Sequence, residues 1–119
     1  MKRPEQALHK SIAAYLGASL PKPWIFWHTP NGGGRSKVEA AIFKAMGVRA
    51  GIPDLFVLGP ERFLVGLECK SEKGRLSPAQ KEALGALAEL GVPTIVCRDL
   101  DDAIAALASL GVPLRGRVL

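Results

Sequence analysis

Apolar residues along this chain follow two rhythms, one of helical spacing and one of short continuous or alternating runs. In PEQALHKSIAAYLG, residues 4–17, Leu8, Ile12, Tyr15 and Leu16 fall on one helical face. Pro4 suits the first turn, and Gly17 is expected to stop the helix. LPKP then reads as a linker, WIFWHT as a strand, and PNGGG as the turn that breaks it. SKVEAAIFKAMG opens with a capping box, Ser36 and Glu39, and closes at Gly47. DLFVL and RFLVGLECK read as strands joined by a turn at Gly59–Pro60. SPAQKEALGALAELG is a helix capped by Ser77 with Pro78 at its first position. PTIVCR is a short buried strand, and DLDDAIAALASLG a last helix with an acidic first turn. This order predicts an α/β fold, a three-layer α-β-α sandwich with a mixed central sheet. The Gly59–Pro60 turn makes one strand pair antiparallel, and the helical crossover makes another parallel. Residues 112–119 fit no element.

Composition narrows the partners. The 119 residues are 48% hydrophobic, enough for one compact domain with a core. No apolar run reaches the ~18–20 residues that span a bilayer, and the amino terminus has no signal-peptide pattern. Cys69 and Cys97 sit inside apolar runs and read as buried thiols of a cytosolic protein rather than a disulfide. The net charge of +5 is uneven. Residues 1–52 carry eight Lys/Arg against two acids, and residues 53–119 eight against nine. A basic front half suggests a polyanion such as nucleic acid, and ordinary solubility is the plainer reading.

Charges within the strands are the next anomaly. Counting in twos, Val65, Leu67 and Cys69 share one face of their strand, and Leu64, Gly66, Glu68 and Lys70 the other. Asp54 begins the partner strand, and the hairpin can bring it beside Glu68. An exposed salt bridge to Lys70 would be the ordinary explanation. On the first helix, however, Glu5 projects into the stripe of Leu8, Ile12 and Leu16, where a carboxylate needs a partner. Gln80 shares a face with Ala83, Leu84 and Leu87, and it also completes a capping box with Ser77. Hard oxygen ligands beside a cation are what a Mg²⁺ or Mn²⁺ site for phosphodiester chemistry requires. Cys/His spacing for structural zinc is absent, and NGGGRSK lacks the spacing of a nucleotide-binding P-loop. HTPNGGGRSK instead joins glycines with Asn31, Arg35 and Lys37 at a helix start, either a phosphate-binding turn or a plain strand-to-helix turn. His28 reads as a supporting or substrate-side residue.

Pro53-Asp54 followed by Glu68-x-Lys70 resembles the Pro-Asp…Asp/Glu-x-Lys signature of a large nuclease superfamily. With Glu5-Gln6, HTPNGG, GVRAGIPDL, ECKSEKGRLSPAQ and GVPTIVCRDLDDAIAAL, the chain is similar to the virus-type replication-repair nuclease (VRR-NUC) domain over residues 5–108. Thr29 departs from the aliphatic residue more usual there. The resemblance implies a restriction-endonuclease-like fold, with Asp54 and Glu68 as metal ligands and Lys70 as catalytic lysine. It implies Glu5 and Gln80 as supporting site residues, Glu5 also near the metal. It further implies one VRR-NUC domain over residues 1–119, of the free-standing bacterial or phage type similar to Holliday-junction resolvases. The expected function is a Mg²⁺- or Mn²⁺-dependent DNA endonuclease, structure-selective for branched DNA such as four-way junctions. A flap or single-strand nuclease, or a non-catalytic DNA-binding module on the same fold, is the alternative. The expected DNA contacts are His28, Asn31, Arg35, Lys37, Lys44 and Arg49. A cytoplasmic homodimer without membrane association is expected, with Trp24, Phe26 and the tail through Leu119 as interface candidates, ordinary core packing being the alternative for them.

Overall fold

The structure, a computed structural model, describes residues 3–30 and 36–115. Four helices, α1 (Arg3–Ser19), α2 (Lys37–Ala45), α3 (Pro78–Glu89) and α4 (Leu100–Ser109), accompany four strands. These are β1 (Ile25–His28), β2 (Leu55–Leu58), β3 (Leu64–Cys69) and β4 (Thr94–Cys97), ordered β1-β2-β3-β4 in one sheet. The β1/β2 and β2/β3 pairs are antiparallel, and β3/β4 is parallel. This is the mixed α/β architecture expected from the order of elements. Among the described residues, no helix is long and apolar enough to cross a membrane.

The period-two reading of β3 holds. Val65, Leu67 and Cys69 join Leu55, Val57, Ile12, Leu16, Cys97, Ala103 and Leu107 in the core. Helices α1 and α4 therefore cover this face of the sheet, while α3 reaches Glu68 on the other. Full burial of side chains such as Ile12, Leu16 and Leu107 stabilises the domain by ~1.5–3 kcal/mol each. Between β2 and β3, Pro60–Arg62 forms a 3-10 turn, with Glu61 and Arg62 both at positive φ.

Two expectations need correction. Gly17 does not stop α1, which continues to Ser19; an exposed glycine inside a helix weakens it without breaking the hydrogen-bond ladder. Trp24 and Phe26 are not free surface. Both pack against the core, and the Trp24 indole lies over Gly59 and edge-on to Phe63, ring centroids 5.6 Å apart. Their apolar area is already used within the chain. The tail up to Arg115 is placed, with Val112 buried in the core and the Arg115 amide donating to the Ser19 carbonyl at 2.7 Å. Leu119 lies outside the described residues.

Helix α2 is different from the other three. Its capping box forms as the sequence predicts, yet every residue of it except Phe43 is exposed.

Candidate active site

The site is built where β2 begins and β3 ends. Leu55 pairs with Leu67, so the next residues outward, Asp54 and Glu68, stand side by side across the two strands. Asp54 is tied on both flanks. One carboxylate oxygen accepts the Cys69 amide at 2.8 Å, and its carbonyl accepts both the Thr29 amide and His28 Nδ1 at 2.9 Å. The acceptor is a carbonyl, so Nδ1 carries the proton. Pro53, fully buried, lies over Gly66, where any Cβ would meet the proline ring.

The loop before Pro53 is seated by Gly51. Its φ is +82°, and a Cβ there would overlap the Ala79 carbonyl at the start of α3. Only glycine satisfies both the left-handed backbone and the close approach. This contact sets the first turn of α3, and therefore Gln80, against the Asp54 loop.

Gln80 serves two partners. Its Oε1 accepts the Ser77 amide at 2.8 Å, completing the capping box, and its Nε2 donates to Glu68 Oε2 at 3.0 Å. The cap and the site role, which compete in the sequence, are filled by opposite ends of one amide. Glu68 Oε1 is buried and has no hydrogen-bond partner among the described residues. Burial first, then the Asp54 charge, push the Glu68 carboxyl up to about 8, while Lys70 pulls the other way and Glu5 adds to the rise. Glu5 is 8% exposed in the first turn of α1, where a fraying acid would be solvated. Lys70 is buried too, its amide donating to the Cys97 carbonyl at 3.0 Å.

Glu5, Asp54, Glu68 and Gln80 line one cleft of about 270 Å³ together with Ala50, Gly51, Ser77 and Ala79. A buried carboxylate oxygen without a donor, among further carboxylates, fits a hard divalent cation. The same donors would suit Mg²⁺ or Mn²⁺.

The proposed DNA contacts are not gathered here. His28 turns its Nδ1 to the Asp54 carbonyl, and Lys37, Lys44 and Arg49 are exposed on α2 and the segment after it. Asn31 and Arg35 lie outside the described residues. Two residues carried no sequence signal. Arg98 Nη1 donates to the carbonyls of Ser71, Glu72 and Gly74, at 2.6, 3.2 and 2.7 Å, and so clamps the loop between β3 and α3. His9 stands edge-on to His28, ring centroids 4.4 Å apart, with Nδ1 buried and without a hydrogen-bond partner among the described residues. Burial, and secondarily the His28 charge, lower its pKa against the pull of Asp54.

A family model for the VRR-NUC domain matches residues 2–99. The chain belongs to the VRR-NUC family. A solved structure described as a VRR_NUC domain protein shares 26% identity with it, with a TM-score of 0.72, and the match covers 92% of this chain and 88% of that one. No curated protein matches. VRR-NUC is a nuclease family.

Proposed function

We propose that the chain is a divalent-metal-dependent DNA endonuclease selective for branched DNA, with Asp54, Glu68 and Lys70 at its centre. The observation that carries this reading is the convergence of Glu5, Asp54, Glu68 and Gln80 on one cleft in a VRR-NUC chain. Asp54 and Glu68, with Glu5 beside them, would hold Mg²⁺ or Mn²⁺. When bound, the ion supplies positive charge for the phosphate oxygens and makes a water more acidic.

The chain's own groups do the rest. The Cys69 amide and Gln80 Nε2 fix the two carboxylates, so neither must reorganise when substrate arrives. Lys70 places a cation next to Glu68, where it stabilises charge building on the scissile phosphate. The basic front half steers DNA, and Lys37, Lys44 and Arg49 offer exposed charges to its phosphates.

Selectivity for four-way junctions implies two paired cuts and therefore two copies of the chain related by a twofold axis. Helix α2 supports such a homodimer. Val38, Ile42 and Met46 are 70%, 53% and 74% exposed and spaced by four, with Ala41 and Ala45 between them. When two such helices run antiparallel about Ile42, Ile42 meets its own copy and Val38 meets Met46. The stripe is self-complementary, as an isologous interface requires, and it offers nothing to a phosphate. Lys37 and Lys44 project from the opposite side of the helix, free for DNA.

Labelled duplex, flap and four-way-junction DNA, incubated with and without Mg²⁺, test the reading. Mg²⁺-dependent cleavage is expected, fastest and symmetric on the junction. Cleavage of flaps alone would leave a structure-selective nuclease that is not a resolvase, and no cleavage with any divalent ion would leave a DNA-binding module.

A further inference from the structure

Asp54 belongs to a second constellation besides the cleft. One ligand atom each from His9, Asp54 and Cys69 lies within 4.8 Å of the other two. Neither His9 nor Cys69 lines the cleft. We propose that His9, Asp54 and Cys69 form a soft-ligand site for Zn²⁺ or a similar transition ion, and that filling it silences the nuclease centre by taking Asp54.

The donor set separates this site from the cleft. Carboxylates such as Glu5 and Glu68 favour Mg²⁺ and Mn²⁺, whereas an imidazole and a thiolate beside one carboxylate favour Zn²⁺ or Co²⁺. A second observation points the same way. His9 Nδ1 is buried with no hydrogen-bond partner among the described residues, an unfavourable state that a ligated ion would relieve. Cys69 is held beside Asp54 by its own amide, which donates to the Asp54 carboxylate. Cys97, the other nearby thiol, is directed to the Glu68 carbonyl at 3.5 Å and is not part of the set. The Cys97 sulfur, and then burial, keep the Cys69 thiol protonated in the free protein. Its proton leaves to solvent as the ion binds. The half-buried His9 is the open side of the site; Asp54 and Cys69 are its buried floor.

Binding of the ion stands independently of the nuclease reading; only the inhibition rests on it. Metal-free protein is titrated with Co²⁺ and followed by absorption. A thiolate-to-Co²⁺ charge-transfer band is expected in the near ultraviolet, reversed by Zn²⁺ and lost in Cys69→Ala. His9→Gln should weaken Co²⁺ binding by about tenfold or more. Thermal melts of both variants establish that they fold. In Mg²⁺-supported cleavage, Zn²⁺ should inhibit wild type at concentrations about tenfold or more below those that inhibit Cys69→Ala. Absence of the band in wild type, or its persistence in Cys69→Ala, overturns the site. Equal Zn²⁺ sensitivity of wild type and Cys69→Ala overturns its control of the nuclease. A chain that shows the band yet cuts no DNA would refute the nuclease reading and leave the soft site standing.

Discussion

Glu68 occupies three environments at once: a place on β3 beside the Asp54 carboxylate, a hydrogen bond from Gln80, and a buried oxygen with no donor among the described residues. Its carboxyl titrates at about 8, against 4.5 ordinarily. Between those values the folded chain holds a proton that the unfolded chain releases. Stability of the metal-free protein therefore falls as pH rises through that window, and it is fully present below the lower value. Melting temperature measured in chelator should decline from about pH 5 to about pH 8, and Glu68→Gln should flatten the decline. A slope unchanged by that substitution contradicts the assignment. On the proposed role of its charge at the phosphate in the transition state, Lys70→Ala should lower turnover by roughly 10²–10³ while changing DNA affinity little. Single-turnover rates with a binding assay separate the two, and an unchanged rate would reduce Lys70 to a structural cation. Glu5, Asp54, Glu68 and Gln80 were legible in the sequence because each stands out locally, as a charge or amide at an apolar position of a helix or strand. His9 was not read, since its significance comes from residues about 45 and 60 positions later, brought close only by the fold.

Elements were legible wherever local chemistry and tertiary packing agree. Both capping boxes form, at Ser36 and Ser77, and the Gly59–Pro60 region does reverse the chain between β2 and β3. Gly17 and Gly51 show where a glycine's meaning depends on its surroundings. Gly17 sits inside α1 with only the Phe26 ring near its would-be Cβ, at 4.0 Å, so Gly17→Ala should stabilise the protein by ~0.5–1 kcal/mol. Gly51→Ala meets both a left-handed backbone and the Ala79 carbonyl. It should destabilise by more than ~1–2 kcal/mol and shift α3 away from Glu68, lowering cleavage. Urea denaturation of the two variants checks the opposite signs; a neutral Gly51→Ala would show that the loop does not set α3. No local pattern announces the Arg98 clamp, because its three carbonyl partners lie 24 to 27 residues earlier, in the loop between β3 and α3.

At the scale of the molecule, α1 and α4 bury the sheet's apolar face while α2 leaves its own stripe uncovered. The capping box of α2 was readable, but whether a helix covers its own sheet or another chain depends on where the preceding loop sends it. Ile42→Glu should convert a dimer to a monomer in light scattering at micromolar concentration. It should also abolish paired cuts on a four-way junction while sparing the intrinsic chemistry of each site. Wild type at monomer mass would refute the dimer. The proposal that Asp54 and Glu68 form a metal-dependent nuclease centre is tested by calorimetric titration of Mn²⁺ into wild type, Asp54→Ala and Glu68→Ala. Binding is predicted in wild type and its loss in both folded variants. Binding as tight in either variant as in wild type would contradict it.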